Sequence, residues 1–461
     1  MSVLWTSADA IAATGGESTT DWQAHGVSID TRSLQKGDLF VALTDVRDGH
    51  EFVSQALAKG AAAALVTHVP DGVAPDAPLL IVDDVLQGLE ALGRAARARI
   101  SGQVIGVTGS VGKTGTKEML RTALSGQYRV HAAEMSYNNH WGVPLTLARM
   151  PVDTQIAVIE IGMNHAGEIR PLAVMADLDV AVITTVAPVH LAAFSGVDAI
   201  AQAKSEIFDG LKADGTAVLN ADIDTFHILR DAAKAHDARI VTFGGAKGAD
   251  FQLTAAYVSD QSTKVVFDLA GQKIEFTLGA PGAHLAMNAM AVIAACDAVG
   301  ANLNICLQNL STWTTPAGRG RREAVMLANG ASIELIDEGF NANPTSMAAA
   351  LDVLSQIHAK GRKVAILGDM LELGDTEKAL HVGMAGIPAL KAIDVIHLVG
   401  PLMQGLYAAL PQKNRGLWIE NAEMAADQIE DLLKPGDIVM VKGSKGSKVS
   451  KIVDVIRKIS A

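Results

Sequence analysis

The chain is poor in cysteine: Cys296 and Cys306 are the only two in 461 residues. Two thiols make neither a disulfide framework nor a structural zinc site. Both sit in apolar, helix-like surroundings and read as small buried side chains of a reducing compartment. A basic excess is also missing. The net charge is −12, the reverse of a nucleic-acid binder, so any phosphate must be held locally by loops, a metal and a few Arg or Lys. No uncharged apolar run reaches the ~18 residues of a membrane span. The opening MSVLWTSADAIAATGG lacks the basic region and long apolar core of a secretory signal. Internal repeats and low-complexity tracts are absent. The expectation is a cytoplasmic protein with no membrane insertion and no nucleic-acid partner.

What is present suffices for several cores. Apolar residues make up 49% and charged ones 19%, a balance that argues against disorder. At roughly 150 residues per domain, the length suggests about three. Residues 1–100 read as a small α/β unit. SIDTRSLQKGDLFVAL is strand-like around Lys36-Gly37-Asp38, 61–67 and 79–82 are short apolar runs, and 85–100 has helical periodicity. Its polar groups at 28–32 and Asp48-Gly49-His50 read as solvated turns. Residues 101–316 form the largest unit. Strands at 156–161, 180–186, 217–219 and 239–243 alternate with helical stretches, which predicts a mostly parallel sheet covered on both faces. STKVVFDLAGQKIEFTL predicts a hairpin turning at Ala270-Gly271, and an Ala-rich helix over 284–299 follows. PAGRG at 316–320 reads as a linker. Residues 317–461 return to strand–helix alternation and read as a Rossmann-like unit. The fold expected is α/β in three domains, the central one built on a phosphate loop.

That loop is the sharpest local signal. GVTGSVGKTGTKEMLRTAL runs from an apolar strand through a glycine turn into a helix with Met119, Leu120, Ala123 and Leu124 on one face. Thr108, Gly109, Ser110, Val111 and Gly112 supply backbone that can wrap an anion. The helix N-terminus adds partial positive charge. Lys113 adds a full one, and the Thr114 hydroxyl can reach a phosphate-bound Mg²⁺.

Other candidates follow from position. Glu160 ends the strand AVIEIG at the sheet edge where ligands collect, and a carboxylate there suits Mg²⁺. His190 follows the strand VAVITTVAP in the same way. Lys204 lies on the apolar face of VDAIAQAKSEIFDGL, and by itself that position reads as a snorkelling lysine. Arg319, Arg321 and Arg322 fall in the linker region, where they could meet phosphate or be a solvated hinge. Asp337 ends SIELID before the loop EGFNANPTSM, and VKGSKGSK offers a second Gly/Ser/Lys loop after a strand.

Together these motifs resemble the Mur ligases of peptidoglycan synthesis. TGSVGKT, YNNHWGVPLTL, EIGMNHAGEI, APVHLAAFSGVDAIAQAKSEIFDGL, PGAHLAMNAMA, GRGRR, IDEGFNANPTSM, ILGDMLELG and VKGSKGS occur in the family order, and the likeness spans residues 27–450. Within the family, GEI after EIGMNHA, the NANPTSM loop and LGDMLELG are similar to the branch that adds D-alanyl-D-alanine to a UDP-N-acetylmuramoyl-tripeptide. The DNPR signature of the branch that adds diaminopimelate is absent. The resemblance implies a UDP-sugar domain at 1–100, an ATP-binding domain at 101–316 and an acceptor-binding domain at 317–461. It implies a monomer that uses ATP and two Mg²⁺ ions to activate a peptide carboxylate as an acyl phosphate. By the same resemblance, Lys113 contacts the β- and γ-phosphates. Thr114, Glu160, His190 and a carbamylated Lys204 serve the metals, replacing the snorkelling reading. His284 and Asn288 lie near the adenine, Arg319 near phosphate and Asp337 near the ribose. Ser28, Thr31 and Arg32 are candidates for the UDP end, and Asn341 and Asn343 for substrate. A sibling ligase that adds a single amino acid and a non-catalytic nucleotide switch stay open as alternatives.

Three positions depart from the family pattern. Gly115 follows GKT where many members carry Ser or Thr, Leu285 follows His284 where the usual pair is His-Asn, and Lys445 replaces a common Arg. Lys cannot make Arg's bidentate fork to a carboxylate.

Overall fold

The phosphate loop lies inside a nine-stranded sheet, and the order of those strands sets the geometry of everything else. The computed structural model describes residues 3–189 and 191–459, so His190 lies outside the described residues. Across the central sheet the strands run Gln272–Leu278, Thr263–Leu269, Phe251–Val258, Arg239–Gly244, Leu211–Asn220, Leu178–Ile183, Gln103–Thr108, Ile156–Glu160 and Val130–Ala132. The seven from Phe251–Val258 to Val130–Ala132 pair in parallel. The last two add an antiparallel hairpin. That hairpin turns at Ala270 (φ 53°) and Gly271 (φ 81°), the left-handed pair that a two-residue turn requires.

Strand order explains where ligands gather. From Gln103–Thr108 the chain crosses to one side for Val130–Ala132 and Ile156–Glu160, then to the other for Leu178–Ile183. The carboxyl end of Gln103–Thr108 is therefore a topological switch point, the place where open α/β sheets leave a crevice. Apolar residues fill both faces. Helices Lys113–Leu124 and Ala283–Ala298 cover one, burying Met119, Leu120, Ala289 and Ile293. Helices Ile169–Ala176, Val197–Ser205 and Phe226–Ala235 cover the other with Leu172, Ile200 and Leu229. Cys296 and Cys306 are buried and free.

Two smaller sheets flank this one. The N-terminal sheet orders Glu17–Ser18, Leu79–Ile81, Ala63–Val66, Asp38–Val41 and Gly26–Ser28. Helix Val85–Ala98 covers it and also leans on the central unit: Arg97 Nε donates to the Ala176 carbonyl at 2.9 Å. The C-terminal sheet orders Arg321–Met326, Ser332–Glu338, Ile438–Lys442, Lys363–Gly368, Val395–Val399 and Arg415–Ile419, all parallel except the first pair.

The linker reading needs correction. Arg321 and Arg322 open a strand, paired from Arg321↔Asp337 to Met326↔Ser332. An edge strand with charged residues along it carries little hydrophobic alternation, so the pattern read as linker. The solvated-turn reading fails for Ser28, which ends a strand at 1% exposure, and for the buried His50.

Candidate functional site

The loop between Thr108 and Lys113 is shaped by two glycines. Gly109 has φ 148°, and a Cβ there would stand 1.9 Å from Thr184 Oγ1; Gly112 has φ 86°, and a Cβ would meet Asn288 Oδ1 at 2.8 Å. Neither position has room for a side chain, so the backbone turns back over the sheet edge. Helix Lys113–Leu124 starts directly from it and points its N-terminus into the crevice. Lys113 Nζ donates to the Gly109 carbonyl at 2.6 Å, folded back over the loop it belongs to. Burial pulls its pKa down to about 8, opposed by the Glu160 carboxylate and reinforced by Arg319.

Glu160 is the acidic counterpart. Its carboxylate is 1% exposed. Oε1 accepts from Asn138 Nδ2 at 2.7 Å and Thr114 Oγ1 at 3.1 Å, while Oε2 is buried without a partner. A buried carboxylate oxygen left unpaired is a costly arrangement. Its cost is explained if the oxygen is kept for a cation. The neighbouring hydroxyls of Thr114 and Ser136, 3.0 Å apart, add oxygen donors of the type Mg²⁺ takes. Among the described residues no cluster of three or more His, Cys, Asp or Glu could hold a metal by itself.

Lys204 is 2% exposed on helix Val197–Ser205. Burial and the nearby Lys113 charge hold its pKa well below the usual ammonium range.

One cavity of about 1120 Å³ draws walls from all three units. Ser110, Val111, Gly112, Lys113, Thr114, Gly115 and Glu160 form its floor, with His284 and Asn288 beside them. Arg319 reaches in from the C-terminal side. Its guanidinium lies 4.3 Å from the Phe340 ring centroid and donates to Ser136 Oγ at 3.3 Å. Asn341 and Asn343 line the opposite wall. Asn343 also caps helix Pro344–Gln356, its Oδ1 accepting from Ser346 N at 2.9 Å.

Several expected residues stand elsewhere. Thr108 is buried beneath the loop, and Gly109 contributes only its carbonyl. Asp337 does not line the cavity. It is bound to Arg457 NH2 at 2.8 Å and to the Gly318 and Gly339 N–H groups, which pin the chain on either side of strand Ser332–Glu338. Glu338, the next residue, faces the cavity instead. Ser28, Thr31 and Arg32 lie apart from it as well. Ser28 donates to Asp30 O, Thr31 bonds Gln55, and Arg32 forks onto Asp30. Sequence reasoning passed over Asn138, Ser136, Phe340, Lys442 and Ser444. Asn138 was visible in the YNNH motif, and Lys442 with Ser444 in VKGSKGSK, but only the fold brings them to one cavity. Lys442 Nζ is committed to Glu338 Oε2 at 2.9 Å.

A parallel sheet whose switch-point loop and strand-end carboxylate are met by an arginine from the C-terminal side defines a nucleotide-using α/β enzyme. Comparison with known proteins narrows the class. The profile of the Mur ligase middle domain matches residues 107–296, that of the Mur ligase glutamate ligase domain 320–445, and that of the Mur ligase family catalytic domain 23–99. The UDP-N-acetylmuramoyl-tripeptide--D-alanyl-D-alanine ligase of Bacillus subtilis is 34% identical over 434 residues, 93% of this chain and 92% of that protein. A crystal structure of MurF from Acinetobacter baumannii has a TM-score of 0.82 at 29% identity and covers 98% of both chains. The MurF ligase of Thermotoga maritima, solved with ADP, has a TM-score of 0.77 at 25% identity over 94% of this chain and 97% of that one. The chain belongs to the Mur ligase family. Within the family its likeness is to MurF. Among the described residues no helix is long and apolar enough to cross a membrane.

Proposed function

We propose that this chain is an ATP-dependent amide-bond ligase that joins D-alanyl-D-alanine to UDP-N-acetylmuramoyl-tripeptide. The observation that carries the reading is the single cavity in which the phosphate loop, the half-paired Glu160 and Arg319 converge. We divide the labour at 1–100 for the UDP-sugar, 101–316 for ATP and 317–461 for the dipeptide. The reaction belongs to the cytoplasm, where ATP and sugar nucleotides are found, and the protein acts as a monomer.

A carboxylate is a poor electrophile, so it must first be activated. The tripeptide carboxylate attacks the γ-phosphorus and ADP leaves. The dipeptide amine then attacks the resulting acyl phosphate, and phosphate departs from the tetrahedral intermediate. The backbone N–H groups around 111–114 cradle the phosphates, and Lys113 exchanges the Gly109 carbonyl for their oxygens. Arg319, held over the Phe340 ring, lends its charge from the other side. Fixed donors aimed where charge develops supply most of the rate. Thr114 and Glu160 would hold one Mg²⁺, which when bound neutralises charge between the phosphates. Lys204 as the free amine can add carbon dioxide, and the carbamate would offer oxygen to a second ion. His190 is assigned to that ion on the resemblance alone.

Phosphate release tests the proposal. With ATP, Mg²⁺ and UDP-N-acetylmuramoyl-tripeptide, release is expected to depend on D-alanyl-D-alanine. Stimulation by a free amino acid instead would make the chain a sibling ligase, and nucleotide binding without acceptor-dependent release would make it a switch.

A further inference from the structure

Lys117 has no part in the chemistry above, yet the fold encloses it completely. It lies on helix Lys113–Leu124, one turn beyond Lys113, and is 0% exposed. An ammonium shut away from water is costly unless it is both paired and hydrogen-bonded. Lys117 is both. Its Nζ donates to the Ala133 carbonyl at 2.5 Å and the Met135 carbonyl at 3.1 Å, and it pairs with Glu118 Oε1 at 2.8 Å. Glu118 is tied in turn to Arg121 at 3.2 Å. The two carbonyls belong to one turn. Residues 133–136 leave strand Val130–Ala132 and enter no helix or strand of their own. Met135 is 60% exposed, so apolar packing does little to hold this turn. The lysine clamps it instead, from the helix that begins at the phosphate loop.

What the turn carries is Ser136. Its hydroxyl accepts from Arg319 NH2 at 3.3 Å and lies 3.0 Å from Thr114 Oγ1, which donates to Glu160 Oε1 at 3.1 Å. A guanidinium only donates and an ionised carboxylate only accepts, so the chain of bonds has one direction. Arg319 donates to Ser136, Ser136 to Thr114, and Thr114 to Glu160. Ser136 is thus the link between the arginine from the C-terminal side and the phosphate loop. We propose that Lys117 is a positioning residue for the ligation: it fixes the turn that carries Ser136, and Ser136 sets where Arg319 meets the nucleotide. The proposal rests on the ligase reading above. Lys117 itself touches neither phosphate nor peptide. The bond from Arg319 to Ser136 is already long, so a shift of roughly half an ångström in the turn breaks it. Placement of two carbonyls by a buried ammonium therefore decides whether the arginine is engaged.

Double-mutant cycles with the full chain test the assignment. Lys117→Met, Lys117→Gln and Ser136→Ala are each made alone and together with Arg319→Ala. Two quantities are read. One is kcat for phosphate release with UDP-N-acetylmuramoyl-tripeptide and D-alanyl-D-alanine; the other is the affinity for a non-hydrolysable ATP analogue with Mg²⁺, by calorimetry. Arg319→Ala, Lys117→Met and Ser136→Ala should each lower both about tenfold, the weight of one hydrogen bond to a charged group. Lys117→Gln keeps donors for the two carbonyls and should recover part of the loss. The KM for the dipeptide should hold within about twofold, because the acceptor meets none of these groups. In the Arg319→Ala background each second change should cost less than about twofold. A lysine that only stabilises the fold would cost the same factor in both backgrounds, so equal, multiplying losses overturn the proposal. Ser136→Ala removes one half-buried hydroxyl and leaves the clamp intact, so it serves where the lysine variants do not fold. Its failure to couple with Arg319 overturns the proposal by itself. A wild type whose phosphate release ignores D-alanyl-D-alanine overturns the ligase reading, and the analogue-binding cycle still decides the role of Lys117.

Discussion

Gly115 is the position where a single substitution separates two roles of the phosphate loop. It is the third residue of helix Lys113–Leu124 and lines the cavity, and a Cβ added there meets no atom within 4 Å. Its φ is not in the left-handed region, unlike those of Gly109 and Gly112. Glycine in a helix interior is less favourable than alanine by roughly 0.8–1 kcal/mol, largely through the entropy of the unfolded chain. The first turn realises only part of that, so Gly115→Ala should stabilise the central unit by about 0.5–1 kcal/mol. For a domain of this size that is a rise of about 1–4 °C in its melting transition. Alanine adds no donor, so the KM for ATP should stay within about twofold. Gly115→Ser should raise the transition less, serine being the poorer helix former. Its hydroxyl would stand at the helix N-terminus beside the phosphates, and one new hydrogen bond there should lower the KM for ATP about threefold to tenfold. Scanning calorimetry and steady-state phosphate release read the two effects separately. A lower melting temperature for Gly115→Ala, or a KM for ATP raised more than about threefold, would refute the reasoning. It would mean that the space beside Gly115 is taken once nucleotide is bound.

Lys204→Ala should abolish most activity, with partial recovery on adding short carboxylic acids. Full activity in the variant would remove the carbamate. Lys113, held to about 8 by burial, should regain its proton on meeting phosphate. ATP binding should therefore take up about half a proton at pH 8 and about a tenth at pH 7. Calorimetry in buffers of different ionisation enthalpy measures this, and uptake that persists in Lys113→Met would assign it elsewhere. His397 is a C-terminal pH element. Burial lowers its pKa from 6.5 to about 4, aided by Arg362 and opposed by Asp437. The unfolded chain then binds the extra proton between those values. Its contribution, about 3 kcal/mol, is present above pH 6.5 and lost as the pH falls towards 4. Urea midpoints across that range should show the slope, and His397→Gln should flatten it.

The phosphate loop and the parallel strands were legible because both are local. Apolar runs between glycine turns specify strands, and the loop's chemistry is its own backbone. The bare sequence placed Lys204 correctly on the apolar side of its helix, yet burial alone does not distinguish a snorkelling lysine from one kept uncharged. The lowering of its pKa comes first from how completely the fold encloses it, and then from Lys113, ninety-one residues earlier in the chain, brought near it. Asp337 shows the reverse failure. A carboxylate at a strand end looks like a ligand contact until Arg457, 120 residues away, is found bonded to it. Strand Arg321–Met326 was hidden because an edge strand is specified by its partner's backbone more than by its own pattern.

The charges in the crevice imply an order to its assembly. Lys204 is buried and Lys113 and Arg319 are half-buried, and loss of water around them pushes the pKa of each down. Glu160 opposes the shift in both Lys113 and Arg319, and Glu338 adds to it for Arg319. Lys113 pushes Lys204 down, and Arg319 pushes Lys113 down. Bringing Arg319 across from the C-terminal unit therefore adds repulsion to a floor that is already cationic. Low-dielectric surroundings magnify that repulsion, and they magnify just as strongly the attraction of an anion placed among the same groups. A triphosphate supplies the missing negative charge where Lys113 and Arg319 line the cavity. Its arrival turns the contact between Arg319 and the Ser136–Thr114 side of the loop from a repulsive approach into an attractive one. The nucleotide is thus a structural counter-charge as well as a reactant. Closure of the C-terminal unit should follow its binding, and the peptide carboxylate enters a site whose cations are already engaged.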